Sequence, residues 1–428
     1  MGDIVRRDFL NGVALTIAAG LTPARQAMAQ PLRYPPALTG LRGDHGGSFE
    51  AAHDLRDGKA FAFDRLPVEE SYDLIVVGGG ISGLAAAWFY RKMSGGAASI
   101  LILDNHDDFG GHAKRNEFRL DGRLILGYGG SESLQSPKGL YSDVAKGLIA
   151  ELGIDIARFE TAFERDLYPS LGLSRGVFFP RESFSRDVLV AGDPMTVAAD
   201  DIAPERRNAK PIRDFISAFP VSAASKAQLI ALFEQNADPL PGKSLEEKLA
   251  VLEKTSYRDY LVKLLGCADE VANCFQGRTH DIYALGCDAL AAAEAREAGL
   301  PGFDGLGLPK PSNPDLDEPY IYHFPDGNAS LARLLVRSLI PAAAPGAGME
   351  DVVLAPFDYG RLDAEGAPMR LRLDSMCVQA RSGAGGAEVA YLREGKLHLV
   401  AGKHAVLACF NMMIPYLMPE LPQEQRAA

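Results

Sequence analysis

Tyr72-Asp73-Leu74-Ile75-Val76-Val77 is a largely apolar run of strand length, and its lack of alternation predicts a parallel strand buried on both faces. It follows a polar, Gly-rich stretch at 39–58 and runs directly into Gly78-Gly79-Gly80-Ile81-Ser82-Gly83. Residues 84–93 then read as a helix, and 99–103 as the next strand. From about 140 to 300 the pattern turns helical, with apolar residues at helical spacing over 229–233, 245–252 and 257–265. Ser244-Leu245-Glu246-Glu247 and Ser256-Tyr257-Arg258-Asp259 predict capping boxes. A turn-rich connection at 299–308 comes next, and 322–333 leads into another helix. The last part alternates short strands (371–373, 376–380, 389–392, 397–400, 404–409) with turns at 363–366, 382–386 and 394–395. The strand through 405–408 is expected to rejoin the sheet beside the first strand.

The chain has 428 residues, 47% hydrophobic and 23% charged, enough for one large domain or two coupled ones. Its formal net charge is -12 and it has no Lys/Arg-rich run, which disfavours nucleic acid as a partner. Beyond the N-terminus no stretch reaches the roughly 20 apolar residues of a membrane helix. The five cysteines (Cys267, Cys274, Cys287, Cys377, Cys409) form no Cys-x-x-Cys pair, so structural zinc and covalent haem are disfavoured and no metal site is expected. Buried or free thiols are the simpler expectation.

The chain opens with Arg6-Arg7-Asp8-Phe9-Leu10, continues with an apolar run at 13–21, and offers Ala27-Met28-Ala29 at cleavage spacing. Together these read as a twin-arginine export signal over 1–29, which implies the twin-arginine machinery as a partner and a periplasmic or secreted mature protein beginning near Gln30. The alternative is a short amphipathic helix with two chance arginines.

In the glycine run, Gly78, Gly80 and Gly83 stand where a dinucleotide fold needs a tight turn, close backbone approach to a pyrophosphate, and packing of helix on strand. The following helix directs its positive N-terminal end at the phosphates, with Ile81 and Ser82 in its first turn. Asp104 ends the second strand twenty-one positions after Gly83, the spacing at which a carboxylate reaches the ribose hydroxyls.

Asp104-Asn105-His106-Asp107-Asp108-Phe109-Gly110-Gly111-His112 resembles the FAD-specific extension of the flavin amine oxidase superfamily. There the ribose acid is followed, six and seven residues on, by two glycines and then a basic residue. The chain departs from it twice, with Asp104 where most relatives have Glu and His112 where many have Arg; a neutral His112 could also be a surface or packing residue. The resemblance covers about 70–428 and implies an α/β fold: a FAD-binding Rossmann-like domain of the glutathione reductase type with an inserted, mainly helical substrate domain. On that basis the FAD-binding domain spans 71–135 and 321–428, the substrate domain 136–320, and an N-terminal extension 30–70. Gly127-Tyr128-Gly129-Gly130-Ser131-Glu132-Ser133 resembles the segment that passes close to the flavin ring, making Gly129, Gly130 and Ser131 candidate contacts; a plain glycine-rich loop is the alternative. The position resembling Cys377 contacts adenine through its backbone, and is otherwise an ordinary buried strand residue.

The segments 255–260 and 322–333 look closest to the bacterial spermidine dehydrogenase branch, implying oxidation of a small-molecule amine or polyamine by hydride transfer to FAD, with an unknown electron acceptor. The acidic balance suits such a cationic substrate and is equally an ordinary solubility feature. Only nineteen residues follow Cys409, too few for the further strand-helix-strand unit that the resemblance implies, which needs about 30. The chain is therefore expected to be C-terminally truncated, and no catalytic residue is carried over. A non-catalytic remnant or fragment, and a FAD-dependent desaturase of an apolar substrate, are the alternatives.

Overall fold

The computed structural model describes residues 34–38, 49–195, 199–234, 238–311, 318–383 and 385–427. The export signal read at 1–29 and much of the N-terminal extension lie outside the described residues. The chain divides into two compact units, one of residues 1–134, 144–155 and 323–428, the other of 135–143 and 156–322. Residues 144–155, read from the sequence as part of the helical insertion, go with the first unit.

The first unit is built on a six-stranded sheet in the order β7-β2-β1-β10-β9-β8. These strands are β1 (Glu70–Val77), β2 (Ile100–Leu103), β7 (Met369–Arg372), β8 (Met376–Gly383), β9 (Gly386–Arg393) and β10 (Lys396–Leu407). β1 is parallel to β2, with Leu74 opposite Ile100, and to β10, with Ile75 opposite Ala405. Being central, β1 is covered on both faces, and Leu74, Ile75 and Val76 are no more than 1% exposed. β8, β9 and the first half of β10 form an antiparallel meander.

The two short strands expected at 397–400 and 404–409 are one strand. Gly402 marks not a turn but a close approach, since a Cβ there would lie 3.0 Å from the Ile75 side chain, where β10 passes from pairing with β9 to pairing with β1 alone. The helix Ile81–Met93 follows β1, and the helix Ala329–Leu339 packs beside it, with Trp88 Nε1 donating to Ser338 Oγ at 3.2 Å.

A separate hairpin pairs β3 (Lys114–Leu120) with β4 (Arg123–Gly129) through Asp121 and Gly122, both at positive φ. Gly127 and Gly129 therefore lie in a strand and not in a loop. The inward side of β3 carries charge: Arg115, 4% exposed, donates to Asp326 Oδ2 at 2.9 Å and pairs with Glu117. Ser330 Oγ donates to the other Asp326 oxygen at 2.6 Å, and Tyr34 OH donates to Glu117 at 2.7 Å, tying the segment at 34–38 to this hairpin.

Among its described residues the second unit is mainly helical, with a hairpin of β5 (Gly176–Phe179) and β6 (Val188–Ala191) that its helical pattern concealed. The box at Ser244 and Glu247 forms completely and starts the helix Leu245–Lys254. At Ser256 only half of the expected box forms: Ser256 Oγ accepts from Asp259 N–H, while the Asp259 carboxylate pairs with Lys263 at 2.8 Å. The core gathers Phe215, Leu252, Tyr257, Tyr260 and Phe303, and both tyrosine hydroxyls are satisfied by the carbonyls of Pro301 and Gly302.

Candidate functional site

The site lies at the carboxyl ends of β1, β2 and β10, where a doubly wound sheet opens a crevice. β1 turns at Gly78, whose N–H donates to Leu103 O at 2.7 Å. Gly78 has φ +114, and a Cβ on it would stand 2.5 Å from the Ala408 carbonyl oxygen, so the turn excludes a side chain. Gly80 is the N-cap of the helix, and the first bond of that helix runs from Leu84 N–H to Gly80 O at 2.9 Å. The amides of Ile81 and Ser82 precede it and lie at the positive end of the helix dipole, beside the cavity these residues line.

That cavity measures about 660 Å³, within the range of about 300–1,000 Å³ for small-molecule and cofactor sites. Of the sequence candidates it brings together Gly78, Gly80, Ile81, Ser82, Asp104, Gly110, Gly111, His112, Ser131 and Cys377. Gly83, Gly129 and Gly130 do not line it. Gly83 packs behind the turn, Gly129 pairs with Lys114 across the hairpin, and Gly130 lies against the His112 carbonyl, 2.7 Å from where its Cβ would be. The stretch that follows Asp104 reaches the glycine turn through Gly110 N–H, which donates to Gly79 O at 2.9 Å, and a parallel bridge pairs Gly80 with Gly110.

Asp104 is 6% exposed, and both of its oxygens are engaged: Oδ2 accepts from Gly79 N–H at 2.7 Å and Oδ1 from His106 N–H at 2.8 Å. Each oxygen keeps a second lone pair for a ligand hydroxyl. Burial pushes its carboxyl up to about 6, against the pull of the two amides and the Lys114 ammonium. His112 is exposed at the cavity edge. Cys377 is buried, and burial pushes its thiol far up, so it is a protonated wall residue.

The cavity also takes walls that the sequence reading missed. Asn105, His106 and Ser375 stand beside Asp104, and Cys409, Phe410, Met413 and Leu417 follow β10. The rule that ligands sit beyond the carboxyl ends of parallel strands would have flagged the residues after β10. All five cysteines are free thiols. Among the described residues no cluster of His, Cys, Asp and Glu could hold a metal ion, and no helix is long and apolar enough to cross a membrane.

Strand, glycine turn, helix and terminal acid around one cavity define a Rossmann-like dinucleotide-binding domain, which fits a group carrying a diphosphate and a ribose. Residues 76–145 match the family described as NAD(P)-binding Rossmann-like domain. No curated protein sequence matches the chain. Among solved structures it is similar to a redesigned putrescine oxidase (18% identity, TM-score 0.39, 84% of this chain and 63% of that one). It is also similar to a putative protoporphyrinogen oxidase from Exiguobacterium sp. 255-15 (16% identity, TM-score 0.43, 84% and 63%). A third is a CLA-producing fatty acid isomerase from P. acnes (14% identity, TM-score 0.35, 83% and 63%). The chain thus spans less than two thirds of the length of each of these structures.

Proposed function

We propose that this chain binds FAD in the cavity beside the glycine turn and serves an oxidoreductase of the flavin amine oxidase kind, acting on an amine or polyamine. The observation that carries this is the seating of the extension at 104–112 on the glycine turn through Gly110 and Gly79, since that extension is the FAD-type pattern in the sequence. The cofactor is FAD. The Ile81 and Ser82 amides would hold its diphosphate and Asp104 would accept from its ribose, with the apolar residues after β10 forming part of the cavity wall. Bound flavin supplies the acceptor for a hydride from the carbon next to the amine nitrogen. The polyamine assignment, close to spermidine dehydrogenases, rests on the sequence segments at 255–260 and 322–333, and export by the twin-arginine route rests on Arg6 and Arg7 with the apolar run behind them.

Anaerobic titration of the FAD-loaded protein tests the reading. Spermidine or putrescine is expected to bleach the visible flavin absorption. Bleaching by an apolar isoprenoid alone would replace the amine reading with a desaturase, and no bleaching by any amine would overturn the substrate assignment.

A further inference from the structure

Asn328 is the N-cap of the helix Ala329–Leu339, a position where its side chain would ordinarily accept from a first-turn amide, yet it makes no such bond. The side chain turns instead to the segment that follows β4. Its Nδ2 donates to Ser131 Oγ at 2.9 Å and to the Ser133 carbonyl at 3.0 Å. A carbonyl only accepts, so the amide NH2 and not its oxygen must face this segment. Asn328 Oδ1 is left buried with no donor among the described residues. An uncapped helix and an orphaned oxygen both cost stability, which marks a residue held for another purpose. The backbone is fixed in the same sense. Asn328 N–H donates to Ser131 O at 3.1 Å, and a Cβ on Gly327 would lie 2.6 Å from that carbonyl. Asp326, bonded to Arg115 and Ser330, anchors the turn.

Ser131 lines the cofactor cavity, and its hydroxyl donates to nothing among the described residues. It stands on the side of the glycine turn: Gly130 lies against the His112 carbonyl, and Gly111, next to His112, packs on Gly80. Because Asn328 donates to the Ser131 oxygen, the hydroxyl hydrogen must point away from Asn328 and is left for the cavity. We propose that Asn328 is a positioning residue that makes the Ser131 hydroxyl a donor to an oxygen of the diphosphate bound in that cavity. The assignment rests on the reading of the cavity as a FAD site, and it concerns the diphosphate that FAD shares with ADP-ribose.

The test measures affinities for FAD and ADP-ribose by calorimetry on the purified chain, Ser131→Ala, Asn328→Ala and the double variant, with phosphorus NMR of the bound ligands. Ser131→Ala should weaken both ligands about tenfold, as expected for a hydrogen bond to a charged group, and Ser131→Thr, which keeps the hydroxyl, should restore them. Asn328→Ala should weaken both about threefold or more and displace the same phosphorus resonance as Ser131→Ala. Once residue 131 is alanine, Asn328→Ala should change neither affinity nor resonance further, whereas a purely structural role would add its loss in both backgrounds. Additive losses, or unchanged binding in Ser131→Ala, would overturn the proposal; the second result decides the matter even where Asn328→Ala fails to fold. A loss confined to FAD would overturn the diphosphate assignment. Wild-type protein that binds ADP-ribose but not FAD overturns the FAD reading and leaves the proposal to be decided by the ADP-ribose series. A chain that binds neither overturns both.

Discussion

A Cβ on Gly83 would lie 1.9 Å from the Gly78 carbonyl oxygen, so the helix sits directly on the turn that feeds it. Gly83→Ala must push the helix start away from the turn, carrying the Ile81 and Ser82 amides with it. The expected outcome is a loss of about 1–3 kcal/mol of stability together with weaker cofactor binding, read by thermal melting with and without FAD.

Asp104 links stability to pH. Unfolded, its carboxyl titrates near 3.8; in the native protein burial pushes it up to about 6, so the native state holds the extra proton between these values. Its contribution is therefore largest below about pH 4 and falls as pH rises through the window to about 6, by on the order of 3 kcal/mol. Asp104→Asn removes this slope, although it leaves one of the Gly79 and His106 amides without its acceptor. Denaturant melts from pH 4 to 7 should show a wild-type-minus-variant difference that declines with pH; a flat difference would contradict the account.

Asp326 is fully buried between Arg115 and Ser330. Asp326→Ala leaves the Arg115 guanidinium short of one of its two carboxylates in a dry setting, with an expected cost of about 3–5 kcal/mol in equilibrium unfolding. Lys263→Ala, which removes an exposed helix pair with Asp259, should cost less than about 0.5 kcal/mol.

The thiols should differ in reactivity. Burial pushes all five up, and Cys409 alone is only partly buried while it lines the cavity. Native alkylation near pH 8 should label Cys409 first, and bound FAD should slow that labelling, as followed by peptide mass mapping.

The sequence shows plainly those parts where one physical demand acts alone. β1 is central and dry on both faces, so it reads as an unbroken apolar run, and the turn at Gly78 tolerates no side chain, so its glycines are visible. The β3–β4 hairpin escaped despite the Asp121-Gly122 turn signal. Its inward positions carry the paired Arg115 and Glu117 while Phe118 and Leu120 point outward, 44% and 53% exposed, which inverts the usual alternation. The single strand β10 reads as two segments, and the neighbour that the intervening Gly402 accommodates, Ile75, is distant in sequence. The cavity walls after β10 were invisible for the same reason, since their roles come from tertiary neighbours.

The most direct test of the central claim is competitive binding to the purified chain, in which FAD and NAD are offered at equal concentration and the retained nucleotide is measured after gel filtration. One FAD per chain, lost on Gly83→Ala, is the predicted result. Retention of NAD in place of FAD, or of neither, would contradict it.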